Sequence, residues 1–209
     1  MTSSRFDQAA ATWDEQPARI ALSKAIAQAM LDQIPDTAAM TALDYGSGTG
    51  LVTLALQPYV QRIIGVDSSP GMLAKLREKV QAMGVGNVES LLLDLATQPP
   101  PAELRVDLIV SAMTLHHIRD IPVLLRALAG LLTPGGYLAL ADLDSEDGSF
   151  HPDPTEVYHH GIDRHGLMAQ LTTLGFRNVT ASTAHVIERP DTDGAMRRYP
   201  VFVVSGQAG

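Results

Sequence analysis

The sequence contains no cysteine among its 209 residues. Disulfide bonds and thiolate metal sites are therefore excluded, although the redox compartment stays open. Aromatic residues make up only 5% of the chain, with Trp13 as its single tryptophan. No apolar run approaches the roughly 20 residues of a membrane helix, so we expect no membrane span. The first residues show no apolar signal region, and we therefore expect a cytoplasmic location.

Basic residues are also scarce, since 15 Lys and Arg stand against 23 Asp and Glu and give a formal net charge of −8. Broad nucleic-acid binding requires a basic surface, so we do not expect that class of function. The apolar fraction of 45% is typical of a folded chain with a substantial core. The length suits one domain, and we predict a single domain over residues 1–209.

The middle of the chain alternates between short apolar runs and helical periodicity. After a first strand that ends near Asp44, we predict strands over 62–67, 88–94, 106–113 and 137–143. Helices are predicted between them over 72–83 and 121–132, after an N-terminal helix that Pro17 opens. This βα alternation predicts a doubly wound, mostly parallel sheet. A later helix over 164–174, followed by strands over 178–189 and 201–205, predicts an antiparallel edge.

Three glycines within five residues follow the first predicted strand, in the segment Asp44-Tyr45-Gly46-Ser47-Gly48-Thr49-Gly50. A phosphate-binding P-loop would need Gly-Lys-Ser/Thr at the end of this segment, and no lysine is present. A dinucleotide fingerprint would need glycine at the sixth position, which is Leu51 here. Asp44, two residues before the first glycine, would repel a pyrophosphate but suits a cationic ligand.

Acids also end the second and third predicted strands, at Asp67 and Asp94. A carboxylate at the end of the second strand can accept two hydrogen bonds from ribose hydroxyls. The same arrangement would serve NAD, so Asp67 alone leaves an NAD(P)-binding oxidoreductase open. Together, the three strand-end acids favour a ligand site more strongly than any one of them does.

The acid-x-Gly-x-Gly-x-Gly segment resembles motif I of the class I S-adenosylmethionine (SAM) methyltransferases. The segment Asp-x-Ser-x-x-Met-Leu from Asp67 is similar to their post-I motif, and Leu115-His116-His117 resembles the ubiquinone/menaquinone C-methyltransferases. The resemblance covers about residues 40–145 and implies a Rossmann-like, seven-stranded sheet with an antiparallel last strand and N-terminal helices. It implies SAM as cofactor and methyl transfer to an O, N or C atom of a small-molecule acceptor. A non-catalytic SAM-binding module is the second alternative.

The resemblance also implies a division of the chain and a set of cofactor-binding residues. Residues 1–40 would form a helical arm, 41–145 the SAM-binding core, and 146–209 the acceptor-side loop and closing strands. We add Arg19 of the N-terminal helix as a candidate partner for the methionine carboxylate. The cofactor-binding residues that we predict are Asp44, Gly46, Ser47, Gly48, Asp67, Ser68, Met72, Asp94, Leu95, Ala112, Met113 and Arg19.

Histidines and acids are concentrated where the acceptor is expected. Of the adjacent His116 and His117, we expect one to pack and the other to face the substrate, and we take His117 as a catalytic candidate. In the acidic loop after the fifth strand we predict that His160 and Asp144 line the acceptor pocket, as orienting groups or a proton acceptor. A metal-dependent reaction is the lesser option because no tight ligand spacing occurs, and we predict no metal ligands. The N-terminal arm, with Phe6 and Trp13, is expected to clip onto the body or to close over a ligand.

Overall fold

The computed structural model describes residues 4–95, 97–190 and 194–209. Its strands are β1 (Thr41–Tyr45), β2 (Arg62–Asp67), β3 (Val88–Leu92), β4 (Val106–Ala112), β5 (Leu132–Leu143), β6 (Arg177–Pro190) and β7 (Met196–Gln207). All seven form one sheet in the order β3-β2-β1-β4-β5-β7-β6. The first five strands pair in parallel, and β7 runs antiparallel to both β5 and β6. The predicted sheet is confirmed.

Helices cover both faces of this sheet. They are α1 (Ser4–Ala9), α2 (Pro17–Leu31), α3 (Leu51–Leu56), α4 (Pro70–Met83), α5 (Ile121–Ala129) and α6 (Arg164–Thr173). Side chains of α2 and α3 pack against one face of the sheet, and side chains of α5 and α6 against the other. Neighbouring residues of one strand point to opposite faces, as Leu108 and Ile109 do, so the central strands are mostly apolar on both faces. In the part of the chain that the structure describes, no helix has the length and hydropathy to cross a membrane.

Several element ends differ from the sequence expectation. Strand β3 ends at Leu92, so Asp94 lies two residues beyond it in the following loop. Helix α5 ends at Ala129, and the Thr-Pro-Gly-Gly segment that we expected between two elements lies inside β5. Because this segment breaks the regular pairing, the register between β4 and β5 shifts between Val106 and Leu108.

The C-terminal hairpin, formed by β6 and β7, is longer than the run of apolar residues in its sequence predicts. Strand β7 pairs with β5 only from Val201 onwards, whereas its first residues pair with the end of β6 alone. In that outer half, Arg198 faces Glu188 across the hairpin. The outer half therefore lacks the continuous apolar pattern on which the shorter prediction, over 201–205, was based.

Candidate active site

A cavity of about 1020 Å³ opens at the carboxyl ends of β1, β2 and β4. This is the edge at which the strand order reverses direction, between β1 and β4, and ligands of open α/β sheets bind there. The glycine-rich loop after β1 and all three strand-end acids, Asp44, Asp67 and Asp94, line one end of the cavity. Histidines line the other end, so the two groups of predicted site residues share one space.

Glycine stands at two positions of the loop, Gly46 and Gly48, for different structural reasons. At Gly46 φ is +75°, and an added Cβ would lie 2.3 Å from Oγ1 of Thr114, so a side chain has no room. At Gly48 φ is +54°, and among the described residues other than its two chain neighbours the only atom within 4 Å of an added Cβ is Sδ of Met72, at 3.9 Å. A side chain at Gly48 would therefore meet open space, and Gly48 lines the cavity. The loop thus leaves room for a ligand beside Gly48.

Asp44 is completely buried beneath this loop. Thr53, on α3, donates a hydrogen bond from Oγ1 to Oδ2 of Asp44 at 2.6 Å. Burial raises the pKa of Asp44 to about 7, and the charge of Asp67 adds to that rise, while the hydrogen bonds from Thr53 oppose it. A buried carboxyl with this pKa is half ionised at neutral pH, so a nearby cation would draw it into the charged form.

Asp67 is held by the backbone of two loops. Its Oδ2 accepts a hydrogen bond from the Gly48 N–H, and its Oδ1 accepts one from the Ser69 N–H, both at 2.8 Å. Burial raises the pKa of the Asp67 carboxyl, and these backbone donors oppose that rise. With a third backbone hydrogen bond from Ser68, these bonds fix the carboxylate at the cavity wall, where one of its four lone-pair positions is left for a ligand donor.

The other predicted cofactor residues fall into two groups. The side chain of Leu95 is buried in the core cluster and does not line the cavity, so only its backbone N–H stays a predicted donor to the cofactor. Met113 has a φ of +54°, an uncommon value for a residue with a side chain and one that is often found at functional sites. The predicted residues that line the cavity besides those already described are Ser47, Ser68, Met72, Ala112, Met113 and Arg19.

The chemistry of this end fits SAM. Three carboxylates suit a molecule that carries a sulfonium, an ammonium group and ribose hydroxyls. The space beside Gly48 would be filled by a Cβ, which is the mark of a backbone that a ligand approaches.

The N-terminal arm, residues 4–16, covers the cavity and forms part of its wall. Asp7 accepts hydrogen bonds from Oγ of Ser69 (2.5 Å) and from the Gly71 N–H (2.8 Å) with one carboxylate oxygen, Oδ1, at the first turn of α4. The guanidinium of Arg19 lies 4.0 Å from the ring centre of Trp13 and donates to the Trp13 carbonyl. The arm is thus fastened to the cofactor end.

At the far end, His116 forms a buried pair with Asp142 of β5. Nδ1 of His116 lies 2.6 Å from Oδ1 of Asp142, and the side chains are 2% and 0% exposed. The carboxylate also accepts the N–H groups of His116 and Leu143, at 3.3 and 2.8 Å. His116 nevertheless lines the cavity, so its ring joins the buried acid to the ligand space.

Two further imidazoles stand beside His116. The ring centres of His117 and His151 lie 4.1 and 4.9 Å from that of His116. Burial lowers the pKa of both to about 4, and repulsion from the His116 ring, which acts only while that ring is protonated, adds to the lowering, so both are neutral at pH 7. His117 donates from Nδ1 to the Glu156 carbonyl at 2.8 Å. No cluster of three or more His, Cys, Asp or Glu in residues 4–95, 97–190 and 194–209 is arranged to hold a metal ion.

Comparisons with known proteins agree with this geometry. The family model described as a methyltransferase domain matches residues 43–140, which contain the glycine loop and the strand-end acids. A solved SAM-dependent methyltransferase from Aquifex aeolicus has a similar structure, with a TM-score of 0.71 and 25% sequence identity. The similarity covers 97% of this chain and 98% of the Aquifex aeolicus chain. The chain belongs to the class I SAM-dependent methyltransferases. Its cofactor is SAM.

Sequence relatives of this chain are also named as methyltransferases. Methyltransferase C1347.09 of Schizosaccharomyces pombe is 33% identical over 159 residues, which are 71% of this chain and 55% of the relative. Trans-aconitate 2-methyltransferase of Methylobacterium nodulans is 33% identical over 124 residues, 58% of this chain and 45% of the relative. The matches thus span about half the length of these two curated relatives.

The structure corrects the expected position of two acceptor-side candidates. Asp144 and His160 do not line the cavity of the methyltransferase. Asp144 is bound by Arg164 through both carboxylate oxygens, so it anchors the start of α6 instead. His160 is 57% exposed and lies near Glu146. Both had been placed at the acceptor because they follow β5 in sequence; the loop does reach the cavity, but through its middle, at 150–152, 156 and 158, and not through these two residues.

Of the histidine pair, His116 is the buried member, as we expected for one of the two, but both His116 and His117 line the cavity. Sequence reasoning missed Asp142, which orients His116. The signal was present, since Asp142 is an acid inside the apolar run of β5, where a buried charge needs a partner. Asp14 and Arg189 of the methyltransferase were also missed. Asp14 accepts a hydrogen bond from Thr49, and Arg189 stacks on the ring of Phe150, and neither contact leaves a pattern in the sequence.

Proposed function

We propose that this protein transfers the methyl group of SAM to an O, N or C atom of a small-molecule acceptor that binds in the same cavity. When bound, SAM supplies a methyl group already activated on a sulfonium. The observation that carries the proposal is the single cavity, which has acids and the glycine loop at one end and three imidazoles at the other. Its volume of about 1020 Å³ lies at the upper end of ligand pockets, which supports room for two ligands.

The residues at the acidic end would bind and orient the cofactor. Asp67 and Asp94 line the wall where ribose hydroxyls and the adenine amine would donate hydrogen bonds, and Asp44 lies beneath the loop where a sulfonium would be attracted. Arg19, at the arm side of the cavity, would face the methionine carboxylate. Binding the two reactants in one geometry is the main contribution such a site makes, because the methyl donor is already reactive.

The arm and the aromatic walls would exclude water from the reaction. Phe6 packs edge-on against His117, with ring centres 5.2 Å apart, and so joins the arm to the acceptor end. Phe150 packs edge-on against His151 at 4.8 Å from the opposite wall. An apolar lining between two polar ends favours a compact organic acceptor. The name of the trans-aconitate 2-methyltransferase relative supports an acceptor of that size.

The test is release of S-adenosylhomocysteine (SAH) in the presence of a panel of small alcohols, phenols, amines, thiols and carboxylic acids. We expect SAM to bind and at least one class of acceptor to be methylated, and we expect Gly48→Val to lose both. SAM binding without turnover on any class would instead favour the non-catalytic module. A rise in melting temperature with NADH but none with SAM would contradict the proposal and favour an oxidoreductase.

A further inference from the structure

We propose that His116 accepts a proton from a hydroxyl group of the acceptor and that Asp142 is the positioning residue for the His116 ring. The acceptor would then be a hydroxyl-bearing small molecule. This inference rests on the proposed methyltransferase function and deepens it by naming the nucleophile. It concerns the end of the cavity opposite to the three strand-end acids.

The contacts of Asp142 fix which nitrogen of His116 is basic. The Asp142 carboxylate is fully buried and accepts two backbone N–H groups in addition to the contact with His116 Nδ1. These donors stabilise the ionised carboxylate, and an ionised carboxylate can only accept, so Nδ1 of His116 carries the proton. The other ring nitrogen, Nε2, is then unprotonated in the neutral ring. A carboxylate in this position also stabilises the imidazolium that forms when Nε2 takes a proton.

The two neighbouring imidazoles are less suited to the same task. His117 donates its Nδ1 proton to the Glu156 carbonyl, and His151 stacks against Phe150, so neither contacts a carboxylate among the described residues. Arg5 near His117 and Arg189 near His151 disfavour a second positive charge on those rings. Of the three, only His116 has a buried acid that would offset the charge of an imidazolium.

His151, one of these two neighbours, has an unsatisfied polar atom beside His116. Nε2 of His151 is buried and has no hydrogen-bond partner among the described residues. Since buried polar atoms are nearly always hydrogen-bonded, this atom points to a polar ligand group or a water molecule beside His116. An acceptor hydroxyl placed between His116 and His151 would satisfy it. The cluster therefore contains both a base and a group that can hold the oxygen.

The step balances without any further reactant. The hydroxyl oxygen forms a bond to the methyl carbon while the bond from that carbon to sulfur breaks, and its electron pair stays on sulfur. The hydroxyl proton passes to Nε2 of His116, and the imidazolium releases it to solvent when the products leave. An alcohol or phenol needs such a base near neutral pH, whereas a carboxylate is already ionised and needs none. A base of this kind therefore favours hydroxyl over carboxylate acceptors.

The first part of the experiment does not depend on the acceptor. Protein with ¹⁵N-labelled histidine and bound SAH is examined by long-range ¹H–¹⁵N correlation NMR, with His116→Gln to assign the signals. We expect His116 to carry its proton on Nδ1 and none on Nε2 above neutral pH, and we expect Asp142→Asn to populate the opposite tautomer. A proton on Nε2 in the wild-type protein at that pH would overturn the proposal.

The second part compares acceptors that share one ring and differ in the nucleophile: phenol, catechol and benzyl alcohol against benzoate, aniline and thiophenol. We expect methylation of hydroxyl probes, a loss of ~10²–10⁴-fold in kcat for His116→Gln, and unchanged SAM affinity. Asp142→Asn should lower kcat by at least ~10-fold while KM changes little. His165→Gln, an exposed histidine on α6, is the matched control and should match the wild type.

The outcomes separate the two proposals. If wild-type protein methylates only benzoate, aniline or thiophenol, or if His116→Gln is as active as wild type on a hydroxyl probe, the inference about His116 fails and the methyltransferase function stands. If wild-type protein methylates no probe of any class, the proposed function fails and the inference fails with it.

Discussion

Asp14 of the N-terminal arm accepts a hydrogen bond from Thr49 of the glycine-rich loop, with 2.6 Å between Thr49 Oγ1 and Asp14 Oδ1. The other oxygen of Asp14 accepts from Nζ of Lys79 on α4 at 2.7 Å. One carboxylate therefore joins the arm to the loop and to the helix that form the cofactor end. Opening of the arm must break these bonds, so we predict that arm movement and cofactor release are coupled.

Replacing Asp14 tests this coupling. Asp14→Ala removes two hydrogen bonds, one of them to a charged donor, each typically worth ~0.5–3 kcal/mol. We expect the dissociation rate of SAM to rise about tenfold or more, by the rule that ~1.4 kcal/mol is a decade. Stopped-flow displacement of SAM measures this rate. Asp32→Ala, which removes an exposed aspartate just after α2, is the control. Equal dissociation rates in both variants would mean that the arm does not hold the cofactor.

A pair of glycine variants separates ligand space from backbone strain. Gly48 and Gly84 have similar φ values of +54° and +65°, and apart from chain neighbours no atom of the described residues lies within 4 Å of an added Cβ at Gly84. A side chain costs both sites the same left-handed strain, but only at Gly48 does it enter the cavity. We expect Gly48→Val to abolish SAM binding and Gly84→Val to preserve it, both with similar melting temperatures. Calorimetry that finds SAM bound normally to Gly48→Val would show that the loop does not approach the cofactor.

The raised pKa of Asp44 predicts a pH dependence that differs between SAM and SAH. Because this pKa is about 7, the carboxyl is increasingly neutral below that pH and attracts the sulfonium less. SAM affinity should fall by up to about tenfold per pH unit below 7, while the affinity for SAH, whose sulfur is uncharged, stays flat. Titrations of both ligands from pH 5.5 to 8 measure the ratio. Asp44→Asn should make the ratio independent of pH; a flat ratio in the wild type would exclude Asp44 from the sulfonium site.

His117 predicts a loss of stability in mild acid. Its pKa is about 4 in the folded protein and near 6.5 in the unfolded chain, so between these values the unfolded chain binds the proton first. The stability that neutral His117 contributes is complete above pH 6.5 and is lost as the pH falls towards 4. Between pH 7 and pH 5, wild type should lose about 2 kcal/mol more of its free energy of unfolding than His117→Gln. Urea unfolding at both pH values checks this, with His165→Gln, which should behave as wild type, as control.

Much of the fold could be predicted because its signals are local. The acid at the end of a buried strand and the glycines of the loop after β1 each act on residues within a few positions of themselves. The cofactor end follows from this, because the parallel strands bring Asp44 and Asp67 to one edge of the sheet. At the cofactor end, the positions of these acids in the sequence are therefore enough to predict that they lie together at one edge of the sheet.

The acceptor end was less predictable because it is formed by distant segments. His116 and Asp142 meet only because β4 and β5 are neighbours, and His151 reaches them from a loop whose path the sequence pattern does not define. We therefore misplaced Asp144 and His160, because their position after β5 in the sequence does not reveal that their side chains lie outside the cavity. The arm illustrates the same limit, since Asp7 and Ser69 are 62 positions apart.

The most direct test of this account is calorimetric titration of SAM into the wild-type protein and into Asp67→Ala. Asp67 lies between the loop and α4, where its carboxylate accepts the Gly48 and Ser69 N–H groups at the cavity wall. If it also binds the ribose hydroxyls, its loss removes charge-assisted hydrogen bonds of ~1.5–3 kcal/mol each. The account predicts SAM binding to the wild type and at least about tenfold weaker binding to a folded Asp67→Ala. Equal SAM affinity in the two proteins, or no SAM binding to the wild type, would contradict it.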